Sequence, residues 1–154
     1  MAMVLTRLIY ISTLSPTCDS HTLDDILATS RKHNQQSHLT GLLSHNNKYF
    51  LQCLEGSREA INSTYNRILE DERHGNVQIL YFQEIHTRVF GDWSMGDIPE
   101  SYLTALINLQ FSGTPDFNPY EMSGESAFQM LLKLKQRLPS EQGESVNAHF
   151  SLAA

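Results

Sequence analysis

The sequence predicts an α+β sandwich of order β-α-β-β-α-β-β. A mixed five-stranded sheet carries two helices on one face and a helical cap on the other. Three observations predict it. Short apolar runs bounded by turn residues alternate with longer stretches of helical spacing. The first run, Leu8-Ile9-Tyr10-Ile11, is apolar on both faces apart from its tyrosine, as in a strand covered on both sides. Two amphipathic segments are left over once the strands are placed, and they suit the face that the first two helices leave bare.

Each element has a local reason. Residues 6–12 read as the first strand, and Pro16, Asp19 and Ser20 break the chain after it. Thr22-Leu23-Asp24-Asp25 fits a capping box that opens a helix whose stripe runs Leu23, Ile26, Leu27, Ser30, Asn34. That stripe turns polar in its last turns, although a side facing a sheet should stay apolar. Gln35-Gln36-Ser37-His38 read as a polar loop into strand two, Gly41-Leu42-Leu43-Ser44. His45-Asn46-Asn47-Lys48 turn the chain into strand three, residues 49–54. A second helix over 57–71 repeats Ile61, Thr64, Tyr65 and Ile68 at helical spacing, and His74-Gly75 suits its C-terminal end. Strand four covers Val77–Phe82 and a weaker fifth strand Phe90–Gly96. This is the split β-α-β order of a ferredoxin-like sandwich. Residues 100–110 (Leu103, Leu106, Ile107) and 124–137 (Phe128, Leu131, Leu132) supply the cap. The organisation expected is a domain over 1–98, a two-helix cap over 99–138 and a fraying tail over 139–154.

Composition narrows the function. A net charge of −6, with no basic run longer than Arg31-Lys32, argues against nucleic acid, whose binding draws on basic stripes. The two cysteines, Cys18 and Cys53, form no metal spacing and no disulfide framework. Neither a signal peptide nor a span of ~18 apolar residues appears, so the expectation is a cytoplasmic protein with no membrane partner.

The informative residues are polar ones in apolar strands. Gln52 sits within Tyr49-Phe50-Leu51-Gln52-Cys53-Leu54. A buried carboxamide left without partners costs ~1–3 kcal/mol, and it carries both a donor and an acceptor. Alternation places Tyr10 with Leu8 and Ser12 on one face, and Gln52 with Phe50 and Leu54 on one face. If both faces look at the long helices, Tyr10, Gln52, Ser30 and Asn34 converge on one slot. An apolar slot with a few oriented polar groups is the usual anatomy of a small-molecule site. A hydrogen-bonded polar cluster with no ligand is the alternative that this pattern leaves open.

Five motifs then resemble one family in order and spacing: Leu8-Ile9-Tyr10; Asn34 with Leu39-Thr40-Gly41-Leu42-Leu43; Phe50 to Gly56; Asp71-Glu72-Arg73-His74; and Trp93-Ser94-Met95. They are those of BLUF domains, sensors of blue light using FAD, and cover about residues 5–98. The later helices resemble the cap of short members in which the photosensor is nearly the whole protein. The resemblance implies FAD, or else FMN or riboflavin, bound without a covalent bond between the first two helices. It implies Tyr10 as electron and proton donor to the excited ring and Gln52 as the bridge from that phenol to the ring. Asn34 is implied at the pyrimidine edge, Arg73 near the C2 side, and His74 close by. Ile26, Ser30, His33 and Leu54 complete the implied cofactor site, and Trp93 and Met95 are the pair that exchange positions or sense the glutamine in different members. A photosensor of this kind is no enzyme and signals to a downstream protein, here as a homo-oligomer.

Departures from the family pattern are local. Members often carry Asn-Gly where Ser37-His38 stands, which puts a histidine at a glycine-like position. Cys53 invites comparison with LOV photoreceptors, but alternation points it away from the face that carries Gln52. Rival readings are an RNA-recognition module of the same strand order, with Tyr49 and Phe50 as stacking aromatics, and a small flavin-dependent redox enzyme. No phosphate loop, nucleophile elbow or metal cluster supports the second. Asp24, Asp25, Glu70, Asp71 and Glu72 read as solvated charges.

Overall fold

The computed structural model describes residues 4–139. Its strands are β1 (Leu5–Leu14), β2 (Thr40–His45), β3 (Tyr49–Ser57), β4 (His74–Glu84) and β5 (Gly96–Ile98). The helices are α1 (Ser20–Ser37), α2 (Arg58–Glu70), α3 (Ala105–Phe111) and α4 (Gly124–Lys135). Short 3-10 turns lie at Glu100–Tyr102 and Pro119–Glu121. The strands order β4-β1-β3-β2-β5, with β2 and β5 parallel and every other pair antiparallel. The mixed ferredoxin-like sheet expected from the sequence is the one observed.

Several boundaries differ from expectation, each for a local reason. Helix α1 opens three residues before the expected capping box, because Asp19 rather than Thr22 is its N-cap and accepts from Thr22 N at 2.8 Å. It also runs through Gln35, Gln36 and Ser37, which were expected to form a loop. The stop is His38, in the left-handed region at φ 56°. That is the conformation that favours glycine, so the histidine stands at a glycine-like position in fact. His74 and Gly75 do not end α2. They open β4, because His74 pairs with Leu14 of β1. The fifth strand is shorter and later than Phe90–Gly96: residues 90–95 are irregular, and only Gly96–Ile98 pair with β2. In the cap, Leu103 and Ile107 are buried as expected, whereas Leu106 is 82% exposed.

The strands divide two cores by alternation. Leu8, Tyr10, Phe50, Leu54 and Met95 join Leu27 of α1 and Ile61 of α2. Ile9, Ile11, Leu51 and Cys53 join Ile107 of α3 and Met130, Leu131 and Leu134 of α4. The second face is therefore filled by the cap. The open sheet surface that an RNA-recognition module would use is not available.

The cap-side face also holds a buried ion pair. Glu55 and Arg7 are 0% and 5% exposed. The Arg7 guanidinium donates to Glu55 Oε2 at 2.7–2.9 Å and lies 4.4 Å from the Phe128 ring centre. The backbone N–H groups of Val89 and Phe90 donate to Glu55 Oε1 at 3.0 and 2.6 Å. Every lone pair of that carboxylate has a use, which is what makes a buried charge tolerable.

Candidate functional site

Register builds the site. Tyr10 of β1 stands directly opposite Gln52 of β3, and Gln52 directly opposite Leu43 of β2. The Tyr10 hydroxyl donates to Gln52 Oε1. Gln52 Nε2 in turn donates to Met95 Sδ at 3.4 Å. Tyr10, Gln52 and Met95 are 3%, 6% and 1% exposed. The three form one buried hydrogen-bonded chain across the sheet. Burial first, and the charge of Asp71 second, push the Tyr10 phenol well above its ordinary pKa, so it keeps its proton.

Tyr10 and Gln52 form the floor of a slot between α1 and α2, with about 830 Å³ of empty space counting the part open to solvent. All nine residues expected at a cofactor line this one slot: Tyr10, Ile26, Ser30, His33, Asn34, Gln52, Leu54, Arg73 and His74. The polar end of the α1 stripe is thus a pocket wall, which explains why it stops being apolar. Met95 lies behind Gln52. Trp93 belongs to the other face, where its Nε1–H donates to Pro139 O at 2.8 Å. Of the expected pair, Met95 touches the glutamine and Trp93 does not.

Hydrogen bonds fix the walls. Asn34 Nδ2 donates to Ser94 O at 2.7 Å, tying α1 to the irregular stretch before β5. His74 contacts Ser12 Oγ through Nδ1 at 2.7 Å and Ile68 O through Nε2 at 2.8 Å. Since a carbonyl only accepts, Nε2 carries the proton, and the imidazole joins the end of α2 to β1. Arg73 donates to both oxygens of Asp71, at 2.6 to 3.1 Å. Those hydrogen bonds hold the Asp71 carboxyl below its usual range and raise the guanidinium. Asp71 is therefore no solvated charge, contrary to expectation, but a half-buried pocket residue.

Thr29, Thr64, Arg67 and Asp71 also line the slot, and none of them is among the nine residues expected at a cofactor. A signal existed. Thr64, Arg67 and Asp71 extend the α2 stripe at three- and four-residue steps, and Thr29 sits three after Ile26. Cys53 faces the cap core, its thiol pushed well up by burial and then by Glu55, which removes it from any chemistry in the slot.

The donor set fits a planar, neutral, heteroatom-edged ring. Apolar walls from Leu43, Phe50, Leu54 and Ile68 meet neutral amides and a phenol, and the one lining carboxylate is matched by Arg73. Residues 5–96 match the family model for sensors of blue-light using FAD. The chain belongs to the BLUF family. BLUF domains are blue-light flavin sensors, and their chromophore is FAD. Photoactivated adenylate cyclase subunit beta of Euglena gracilis is 34% identical over 107 residues, which is 69% of this chain and 12% of that protein. The blue light- and temperature-regulated antirepressor BluF of Escherichia coli (strain K12) is 33% identical over 92 residues, 60% of this chain and 23% of the antirepressor. The chain thus spans a small part of these curated relatives. It spans nearly all of the BLUF protein BlrB in its dark state: 28% identity, TM-score 0.73, covering 87% of this chain and 96% of BlrB. Among the described residues, no helix is long and apolar enough to cross a membrane.

Proposed function

We propose that the Tyr10–Gln52–Met95 chain is the light-responsive unit of this BLUF sensor. The bound flavin would lie with its ring in the slot between α1 and α2. The observation that carries this reading is the direct cross-strand hydrogen bond from Tyr10 to Gln52 at the floor of that slot. Asn34 has committed its amide N–H to Ser94, so its Oδ1 is left to accept from a ring N–H. Arg73, pinned by Asp71, offers its remaining donors to a ring carbonyl, and His74 braces the wall behind Tyr10. Flavin supplies absorption of blue light and, when excited, a strong oxidant. Tyr10 is the residue placed to answer it, being protonated and one side chain away.

The carboxamide gives the response two unequal states. With Nε2 toward Met95, Gln52 donates to a thioether and accepts from Tyr10. Tautomerisation would leave the two ends in place and make Oε1 a donor, whereas rotation would exchange them and turn an acceptor toward Met95 Sδ, which has no proton to give. Met95 then loses its partner, and the irregular stretch 90–95 loses a tie to the slot. One hydrogen bond nets only ~0.5–1.5 kcal/mol, whereas moving a partner from 1:99 to 99:1 takes ~5.5 kcal/mol. Amplification therefore needs a bistable segment or several subunits. Residues 93–98 and the cap over 99–138 would serve as the output surface, presented to a protein partner by a homo-oligomer. Leu106 and Leu109, 82% and 53% exposed on α3, support that surface. In this reading the chain performs no enzymatic step and works in the cytoplasm.

The test is absorbance of the purified chain under blue light. A yellow protein is expected, whose visible bands move to the red and recover in darkness without bleaching. Gln52→Leu should keep the flavin and lose the shift. A normal shift in that variant would remove Gln52 from its assigned role.

A further inference from the structure

Strand β5 is short, lies at the sheet edge, and pairs only with β2: Leu42 with Gly96, Leu43 with Asp97, Ser44 with Ile98. Three residues of parallel ladder are a weak hold, since parallel pairing is slightly less stable per residue than antiparallel. Side chains must therefore help to fix it. On the cap face Ile98 is fully buried in the core. On the slot face the holds are Met95 and Asp97, two residues apart and so on one side of the chain. Met95 Sδ accepts from Gln52 Nε2. Asp97 Oδ1, on the one polar side chain of β5, lies 2.6 Å from His45 Nε2. A carboxylate only accepts, so Nε2 carries the proton and donates it. His45 is 9% exposed and meets the Phe50 ring edge-on, 6.3 Å between centres, which holds the imidazole in place at the end of β2.

The two ties differ in what can release them. The Met95 tie ends on the carboxamide that turns in the light response, whereas the Asp97 tie ends on a residue outside the Tyr10–Gln52–Met95 chain. Across the sheet Gln52 stands opposite Leu43, and Leu43 opposite Asp97, so both ties act on the same end of the same strand. Once Gln52 lets go of Met95, Asp97 decides whether β5 follows or stays. We propose that His45 and Asp97 form a latch that keeps β5 docked on β2, and that as positioning residues they set the lifetime of the light-altered state. The inference rests on the light-responsive reading given above. The latch opposes departure of β5 and draws it back, so its loss favours the undocked arrangement. One partly shielded hydrogen bond to a carboxylate shifts such an equilibrium on the order of 5-fold.

The experiment uses the full-length chain carrying FAD. Amide hydrogen exchange over residues 93–98 is followed in darkness by mass spectrometry, and recovery of the red-shifted bands is timed after a light pulse. His45→Phe keeps a ring beside Phe50 but lacks the donor, and Asp97→Ala lacks the acceptor. Each should speed dark exchange over 93–98 by about 5-fold and slow recovery by a similar factor, with exchange in β1 and β3 unchanged. The double variant should match the singles, because it removes the same bond. Asp97→Glu should restore part of both effects. Unaltered exchange over 93–98 in Asp97→Ala overturns the proposal. So does equal acceleration in β1 and β3, which would make the pair an ordinary contribution to stability. Faster exchange with unaltered recovery overturns it too, by separating the pair from the light response. Absence of any red shift in the wild type is a different result and overturns the light-responsive reading along with it.

Discussion

The two faces of one sheet are built from neighbouring residues of the same strands, yet one is a site and the other a core. Along β1 and β3, Ile9, Ile11, Leu51 and Cys53 point to the cap and fill a solid interior. One residue away on each strand, Tyr10 and Gln52 point to α1 and α2 and meet at the floor of a slot. The charged groups differ as well. On the cap side Glu55 and Arg7 are sealed and fully bonded, whereas on the slot side Arg67 is exposed and hydrogen-bonded to His33. A sealed ion pair thus lies on one face, and an open slot on the other.

That division can be broken most sharply at Glu55. Glu55→Ala leaves Arg7 charged and unpaired in a sealed core and strips the Val89 and Phe90 N–H groups of their acceptor. A loss of ~3–5 kcal/mol is expected in urea unfolding. A loss below ~1 kcal/mol would mean the cap face is not the stabilising one.

The slot side should respond to acid. Asp71 is held low by the Arg73 hydrogen bonds. A carboxylate depressed on folding contributes stability that is fully present above its unfolded pKa of ~3.9 and is lost as pH falls through the lower folded value. Asp71→Asn should therefore flatten the acid limb of the stability–pH curve and leave stability near neutral pH slightly lower. An unaltered acid limb would place the Asp71–Arg73 pair outside the energetics of folding.

The smallest effect is expected at His38, where a non-glycine residue holds φ 56°. A left-handed side chain costs roughly 1–2 kcal/mol, part of which glycine returns as entropy in the unfolded chain. His38→Gly should raise stability by about 0.5–1 kcal/mol in thermal unfolding. A decrease would show that the side chain makes contacts outweighing that strain.

How much of this could be read from the sequence follows from where periodicity has authority. Strand alternation is local, so the meeting of Tyr10 with Gln52 and the turning away of Cys53 were both legible. The fifth strand was misplaced because residues 93–95 are held by contacts that have no period. Gly41 N donates to Trp93 O at 3.0 Å, Asn34 to Ser94 O and Arg31 Nε to Met95 O at 3.1 Å. His74-Gly75 reads equally as a helix end or a strand start. Only pairing with β1 decides, although His74 does still bond to the last turn of α2 through Ile68 O. Asp71 and Arg67 resemble ordinary helix-surface charges, and only the neighbouring α1 makes them part of a slot. The glutamine was visible because it is wrong for a plain core, but its second partner, Met95, is a long-range contact invisible to pattern.

The central claim is that the Tyr10 phenol, through Gln52, is what light rearranges. The direct measurement is the light-minus-dark absorption spectrum of Tyr10→Phe carrying the same flavin as the wild type. Full flavin occupancy and no lasting red shift are expected, since the chain of hydrogen bonds has lost its proton. A wild-type shift that forms and decays normally in Tyr10→Phe would contradict it.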